Sequence, residues 1–422
     1  MKFKSIKGTR DILPDETVRW QAVEQAIRDV MRAFNYKDIR TPVFEETALF
    51  ARSIGELTDI VGKEMYTFTD RSGTSLTLKP EMTASVVRSF IQNNLGEQQP
   101  LVKVYYLSPA FRQERPQAGR LRQFHQFGAE AIGGKQPSVD AEIIALAMEI
   151  YKKLGIESMA LKINSVGCPN CRPAYREELK KFLSGIVEKL SEESKRRFEQ
   201  NPLRILDSKD ENDQILTQAA PLMKDHLCSE CASHFSELQA LLSVLQIEFA
   251  VDGRIVRGLD YYTKTAFEII STDLGSQDAL AGGGRYDGLV EELGGKSTPA
   301  VGFAAGFERL LMVLEKRGIQ VGGPMHPTLF LAGADEEGRR WAIRQAMELR
   351  RAGVPCEIDF LGRSLKAQMR EADRQQATYV LVVGANEVLQ GKATLKNMKT
   401  GEQAILQFSD VLPTLQKVQS AK

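Results

Sequence analysis

The sequence predicts an α+β protein of more than one domain, and three observations predict it. β-type runs lie on both sides of a polar, mostly helical stretch at 168–245, which reads as one domain interrupted by a helical insertion. Beyond a Gly/Pro segment, VGGPMHP, strand-like and helix-like pieces alternate to the C-terminus, the pattern of a small α/β domain. The length, 422 residues, is more than one core organises. The expected boundaries are 1–167 with 246–320 for the main domain, 168–245 for the insertion, 321–327 for the linker and 328–422 for the last domain.

Pro14-Asp15-Glu16 opens a helix whose apolar face is Trp20, Val23, Ala26, Ile27, Val30, Met31 and Phe34. DIRTPVFEETALF is strand-like with a proline in it. TSLTLKPEMTASVVRSF predicts a strand and then a helix from near Met82. LVKVYYLSPAFRQE and QFHQFGAEAIG predict two strands joined by a long loop, RPQAGRLR. Asp140–Leu154 predicts a second amphipathic helix, and LKINSVG another strand. After the insertion, FAVDGRIVRGLDYYTKTAFEII is β-type, AGGGRYDGL is glycine-rich and could be a mere turn, and Ala300–Arg317 predicts a helix. The last domain should run PTLFLAG, a helix through Arg351, PCEIDF, a helix near 364–376, TYVLVVG and a final hairpin.

The formal net charge is +1, so overall basicity cannot drive nucleic-acid binding, although a local patch can. No apolar run approaches the length that spans a membrane, and MKFKSIKGTRDILPDE lacks the apolar core of a signal peptide. A cytoplasmic protein is expected. In a reducing compartment Cys168, Cys171, Cys228 and Cys231, two CxxC pairs 56 residues apart, suit a metal better than disulfides. The metal expected is a structural Zn²⁺, remote from any chemistry, with His234 as a spare ligand. The bland alternative is four reduced thiols. Cys356 reads as a lone core cysteine in a strand.

Four arginines, Arg112, Arg115, Arg120 and Arg122, crowd the hairpin. A guanidinium clamps a phosphate with two parallel donors. Arg112 and Glu114 alternate along the strand and should share a face, as should Phe124, Gln126 and Glu130. The set suits an anionic nucleotide beside a polar, cationic small molecule; a solvated basic hairpin is the alternative. In VRGLDYYTKTAFEI, Arg257, Tyr261 and Tyr262 could hold a phosphate and polar substrate atoms, or form a half-buried edge strand. AGGGRYDGL is neither GxGxxG nor a Walker sequence. AVGFAAGFERLL places Glu308 and Arg309 in helical register, where Arg309 either meets a triphosphate or lies on the surface.

Together these segments resemble the class II aminoacyl-tRNA synthetases, and the histidyl-tRNA synthetases in particular. KGTRDILP is similar to the family's N-terminal signature, FRQERPQAGRLRQFHQFGAE to motif 2 and AVGFAAGFERLL to motif 3. RGLDYYTKTAFE and AGGGRYDGL resemble the two peptides particular to the histidyl enzymes. The resemblance spans the chain. It implies an antiparallel sheet with flanking helices, a C-terminal anticodon-binding domain, and a homodimer with its interface at DIRTPVFEETALF, which resembles motif 1. It implies ATP with Mg²⁺, L-histidine and tRNA-His as partners, with no membrane.

The resemblance also implies site residues. Arg112 would hold the α-phosphate, Glu114 the adenine amino group and Phe124 the adenine ring, with Arg120 and Arg309 on the triphosphate tail. Arg257 would reach the α-phosphate from the other side, so Arg257 and Arg112 are the expected catalytic pair. Glu81 and Thr83 would bind the substrate's α-amino group. Gln126, Glu130, Tyr261, Tyr262 and Tyr286 would surround the histidine, and Gln117 and Arg122 would reach the tRNA acceptor end. Met82 stands where the family commonly has glycine. A non-catalytic relative of this family, a regulatory subunit of ATP phosphoribosyltransferase, and synthetases for other amino acids are competing readings. The full motif 2, Arg309 and the whole last domain disfavour the first, and RGLDYYTKTAFE the second. Arg363, Lys366, Arg370 and Arg374 fall at helical spacing, either a phosphate-binding stripe or a solvated face.

Overall fold

The computed structural model describes residues 3–420 apart from 56–57, 59, 117–118, 209, 256–258, 260, 272–278 and 324–325. The chain divides into two compact units, 1–322 and 323–422. In the first, the strands in chain order are β1 (Lys37–Asp38), β2 (Phe44–Glu46), β3 (Tyr66–Thr69), β4 (Ser75–Leu78), β5 (Val102–Phe111), β6 (Gln123–Ile132), β7 (Ala160–Ser165), β8 (Ala250–Val251), β9 (Thr263–Ile270), β10 (Ala279–Arg285) and β11 (Ala300–Gly306). Eight of them form one sheet in the order β1-β5-β6-β11-β10-β9-β7-β8, and β2-β4-β3 form a small separate one. The six central strands of the large sheet are antiparallel; only the outer pairs β1–β5 and β7–β8 are parallel.

The register decides which residues can form a site. Across β5 and β6, Tyr106 opposes Gly128, Ser108 opposes Gln126 and Ala110 opposes Phe124. Across β6 and β11, Gly302 opposes Glu130. Directly opposed residues share a face, so even-numbered positions of all three strands face one way. Odd-numbered positions face the other: Phe127, Ala129, Ala131, Val301 and Phe303 pack under the helices Pro14–Ala33, Pro137–Lys153 and Phe307–Lys316 in the main core. That core holds Val23, Ile27 and Met31 of the first helix without exposure. Truncating Ile27 to alanine there would cost roughly 2–5 kcal/mol. The even face meets the helix Thr83–Gln92 at one end, through Met82, Val86, Val87 and Phe90, with Leu289 and Val290 in the same cluster, and borders a cavity elsewhere.

Several expected elements differ. Ala300–Arg317 is not one helix: β11 takes 300–306 and the helix starts at Phe307. β11 is central, and its cavity-facing positions are Gly302, Ala304 and Gly306, so small apolar residues on both faces leave no polar alternation to betray a strand. AGGGRYDGL is no turn; its first half is the central strand β10. Phe267 and the Gly302 carbonyl approach Gly283 so closely that a Cβ would collide with both. DIRTPVFEETALF is strand only at Asp38, the end of β1, and at 44–46, and the helix Thr47–Ile54 follows. The helix Pro137–Lys153 is buried on most of its circumference, not amphipathic. At Met82 the backbone is right-handed (φ -103°, ψ -31°), so no glycine is required, and its side chain joins the apolar cluster under the helix.

Within 168–245, the helices Arg172–Ser184, Glu192–Gln200, Glu211–Leu216 and Ser229–Val244 surround a core of their own containing Tyr175, Leu179, Leu183 and Ile205. Its polar centre is Asp213, which accepts hydrogen bonds from Ser191 N and from the hydroxyls of Ser191, Ser194 and Ser208.

The second unit is a five-stranded sheet of β12 (Leu329–Gly333), β13 (Cys356–Ile358), β14 (Tyr379–Val383), β15 (Lys392–Asn397) and β16 (Gln403–Gln407), in the order β13-β12-β14-β15-β16. The first three are parallel and the hairpin β15–β16 is antiparallel. Helices Glu336–Arg351 and Leu365–Arg374 are as expected, Cys356 is buried in β13, and the helices Ala385–Gln390 and Phe408–Ser420 were not foreseen. Arg363 and Arg374 both pair with Glu371. No helix among the described residues is long and apolar enough to cross a membrane.

Candidate active site

The open even-numbered face of the large sheet is a cavity of about 440 Å³. Its floor is made of very small residues: Gly282 of β10 and Gly302, Ala304 and Gly306 of β11 line it. Small residues let charged side chains from β6 lie flat across the strands. A Cβ on Gly302 would fall within the Glu130 carboxylate.

At the deep end Glu130 is 1% exposed and surrounded by hydroxyls. Thr83 Oγ1 donates to its Oε1 at 2.9 Å, Tyr106 OH to the same oxygen at 3.2 Å, and Tyr286 OH to Oε2 at 2.5 Å. Burial pushes the Glu130 pKa up to about 8; the hydroxyls of Tyr286 and Thr83 pull against that, and the neighbouring Glu81 adds to it. Glu81 accepts from the backbone N–H groups of Thr83 (2.7 Å) and Ala84 (2.9 Å), capping the helix Thr83–Gln92. Burial raises its pKa too, against those backbone bonds. Tyr261 and Tyr262 close the side, with ring centroids 4.8 Å apart, and Tyr261 lies 5.6 Å from Tyr286. Gln126 Oε1 is buried with no hydrogen-bond partner among the described residues. Two carboxylates, hydroxyls and an unused amide acceptor make this end fit a compact cation that also offers donors.

The other end is cationic. Arg112 stacks over Phe124, with its guanidinium carbon 5.3 Å from the ring centroid, and its Nε donates to Pro80 O at 3.0 Å. Arg120 pairs with Glu114 at 3.1 Å, and Arg309 NH1 donates to Ala279 O at 2.9 Å. Burial lowers the Arg309 pKa, and the nearby Arg120 charge lowers it further. Such mutual repulsion is relieved by an anion with several charges. Beside it, Glu308 accepts from His125 N (3.0 Å) and contacts His125 Nδ1 (2.9 Å), while Trp20 packs on both His125 and Phe307. That holds the start of the Arg309 helix to β6.

Of the residues singled out by sequence, Arg112, Glu114, Arg120, Phe124, Arg309, Glu81, Thr83, Gln126, Glu130, Tyr261, Tyr262 and Tyr286 all line this one cavity. Arg112 and Glu114 are not on the strand as expected, because β5 ends at Phe111 and they lie in the loop after it. Arg122 is not among the lining residues; its backbone N–H donates to Gly8 O and its Nε to Glu114 O, tying the hairpin to the N-terminal segment. Arg257 and Gln117 lie outside the described residues.

Sequence reasoning missed Tyr106, whose cross-strand partner Gly128 makes room for its ring. It also missed the fully buried Arg285, which pairs with the equally buried Asp140 and with Asp287 (3.0 Å). Arg197, Arg204 and Asp207 of the helical insertion border the cavity as well. The four cysteine sulfurs lie within 4.8 Å of one another. His234 is not with them, since its Nε2 faces Asp140 at 3.3 Å.

An antiparallel sheet with one face given to helices and the other to a charged cavity is the architecture of the class II aminoacyl-tRNA synthetases. Comparison with known proteins narrows the class. The family model for histidyl-tRNA synthetase matches residues 8–310 and that for the anticodon binding domain residues 329–418. The histidine–tRNA ligase of Halothermothrix orenii is 49% identical over 99% of this chain and 100% of its own length, and that of Chloroherpeton thalassium 52% over 99% and 98%. The crystal structure of apo histidyl-tRNA synthetase from S. aureus superimposes with a TM-score of 0.84 at 38% identity, covering 98% of this chain and 100% of that one. The chain belongs to the histidyl-tRNA synthetase family.

Proposed function

We infer that this chain is a histidine–tRNA ligase. A carboxylate oxygen of L-histidine attacks the α-phosphorus of ATP, the bond to the β-phosphate oxygen breaks, and histidyl-adenylate and pyrophosphate form. A 3′-terminal ribose hydroxyl of tRNA-His then attacks the histidyl carbonyl and AMP leaves. The family and the relatives aligned end to end support this activity. The observation that carries it is the pairing of a hydroxyl-ringed buried carboxylate with a cluster of arginines in one cavity.

The residue roles are our proposal. Glu130 and Tyr262 face the imidazole, which needs an acceptor and a donor at once. Glu81 and Thr83, with Gln126, take the α-ammonium; the unpartnered Gln126 Oε1 supports this. Tyr261 and Tyr286 wall the pocket. Phe124 stacks under adenine, Glu114 accepts from its amino group, and Arg112 and Arg257 hold the α-phosphate as the catalytic pair. Arg120 and Arg309 hold the tail, where charge accumulates on the departing pyrophosphate. Mg²⁺ would enter with the nucleotide as a hard, oxygen-seeking ion, and the lining carboxylates Glu64 and Glu308 would suit it. Gln117 and Arg122 reach for the tRNA acceptor end, and residues 328–422 read the anticodon. Residues 1–167 with 246–320 act as the catalytic domain and 168–245 as an insertion that closes on its cavity. We propose a homodimer joined near residues 38–50, working in the cytoplasm.

Histidine-dependent exchange of pyrophosphate into ATP, followed by charging of tRNA-His, tests this reading. Exchange that depends on another amino acid, or none at all with active Mg²⁺–ATP present, overturns it.

A further inference from the structure

The CxxC pairs were expected to lie far from the chemistry; their sulfurs do not line the cavity, but Arg172, next to Cys171, is hydrogen-bonded to Tyr262, which does. Cys168 begins two residues after Val166, which continues β7 towards the cavity. Val166 N donates to Lys264 O at 2.7 Å, and Lys264 N donates to Gly167 O at 2.8 Å, so the first pair is stitched to the start of β9. Arg172, the residue after Cys171, donates to the backbone oxygen of Tyr262 and to Val166 O. The second pair grips the same place: Glu230, between Cys228 and Cys231, takes Lys264 Nζ at 2.8 Å. Lys264 itself is left-handed, with φ 49°, a conformation a lysine holds only when its surroundings impose it.

The sulfurs are arranged for one ion. Cys168 Sγ lies 3.6 Å from Cys171 Sγ and 3.9 Å from Cys228 Sγ, and all four are within 4.8 Å of one another. Four thiolates at ~2.3 Å from a tetrahedral Zn²⁺ stand ~3.8 Å apart, whereas a disulfide would bring two to ~2.0 Å. All five cysteines are free. Cys228 N donates to Cys171 Sγ at 3.2 Å, the kind of outer hydrogen bond that orients a ligating thiolate. Among the described residues the cluster holds four thiols and no carboxylate or imidazole, so this donor set is all-sulfur and suits Zn²⁺ over harder ions.

We propose that Cys168, Cys171, Cys228 and Cys231 hold one Zn²⁺, and that this knot fixes residues 262–264 and with them the Tyr261–Tyr262 wall of the amino-acid pocket. The second half rests on the proposed role of that pocket. The ion is structural in its bonding yet positions a substrate contact, with Arg172 as the positioning residue. It also pins the two ends of the insertion, 56 residues apart in sequence, at one point.

The full chain, purified reduced and without chelator, should carry about one zinc per chain by elemental analysis. A thiol-directed mercurial should release it, and Co²⁺ in its place should give the visible bands of a tetrahedral thiolate site. Zinc-free protein with four freely titrating thiols, or a disulfide within the set, overturns the metal site; neither readout needs activity. Arg172→Gln should keep its zinc and its ATP KM while the histidine KM rises ~10-fold, with Arg172→Lys partly restoring it. An unchanged histidine KM overturns the positioning role. Absence of any histidine-dependent exchange in the wild type would instead count against the function itself, leaving the metal result standing.

Discussion

Gly302 lies directly across the sheet from Glu130, and the carboxylate of Glu130 occupies the space where a side chain at 302 would begin. The two residues act as one feature, a carboxylate laid flat over a neighbouring strand. Gly302→Ala should displace it from the hydroxyls of Tyr286 and Thr83. Overpacking of this kind costs ~1–3 kcal/mol, which in binding is roughly a 5–150-fold rise in KM for histidine. Exchange kinetics at varied histidine, with ATP saturating, check this; a KM within twofold of the wild type would falsify it.

Glu130 also gives stability a pH dependence. Its folded pKa is raised to about 8 by burial, while unfolded it titrates near the ordinary glutamate value. Between the two, the folded state keeps a proton that the unfolded state has lost. Stability from this group is therefore full below the unfolded pKa and falls as pH rises towards 8, by up to ~1.4 kcal/mol per pH unit. Urea unfolding of the ligand-free protein at pH 5 and pH 8 should show the decline, and Glu130→Gln should flatten it. Parallel slopes in the two proteins would sink the argument.

The arginines are expected to act through geometry as well as charge. Arg309→Ala should lower the exchange rate ~10²–10³-fold, the usual cost of one lost donor to developing charge. Arg112→Lys should fail nearly as badly, because an ammonium cannot present the two parallel donors of a guanidinium. Arg257→Ala should abolish adenylate formation while thermal unfolding stays as in the wild type. Near-normal exchange in any of the three removes that residue from the proposed site.

Asp140 and Arg285 form a pair without exposure inside the first unit, joined by His234 from the helix Ser229–Val244. Burial alone would raise the Asp140 pKa, yet His234 and Arg285 hold it below the usual carboxylate range. Asp140→Asn leaves Arg285 buried with one of its two carboxylate partners and should cost roughly 3–5 kcal/mol. A urea midpoint unchanged from the wild type would refute this. The sign for pH follows: the pair's contribution is present above the unfolded aspartate pKa and is lost as pH falls through the lower folded value.

What could be read from sequence followed the range of the interactions involved. Phe124, Gln126 and Glu130 share a face because a strand repeats every two residues, which is local information. The family peptides carried the sheet, the last domain and the activity. Tyr106 was invisible because its place over Glu130 depends on the register of β5 against β6. β11 passed for helix because AVGFAAG is small and apolar on both faces, its cavity side included, and continues into a real helix at Phe307. Arg285 sits in a glycine-rich stretch that gave no hint of a buried ion pair, since its partner Asp140 is 145 residues away. The position of the cysteine knot beside Tyr262 likewise depends on β7 meeting β9, a pairing of distant segments.

The cavity floor of Gly282, Gly302, Ala304 and Gly306 has a consequence for how this enzyme can change. Its volume comes from side chains the chain omits, and glycine cannot be made smaller. Nearly every substitution along these strands would therefore shrink the chamber. Redesign towards a bulkier amino acid has to begin on the walls, at Tyr261, Tyr262 or Tyr286, while the floor admits variation only towards smaller substrates.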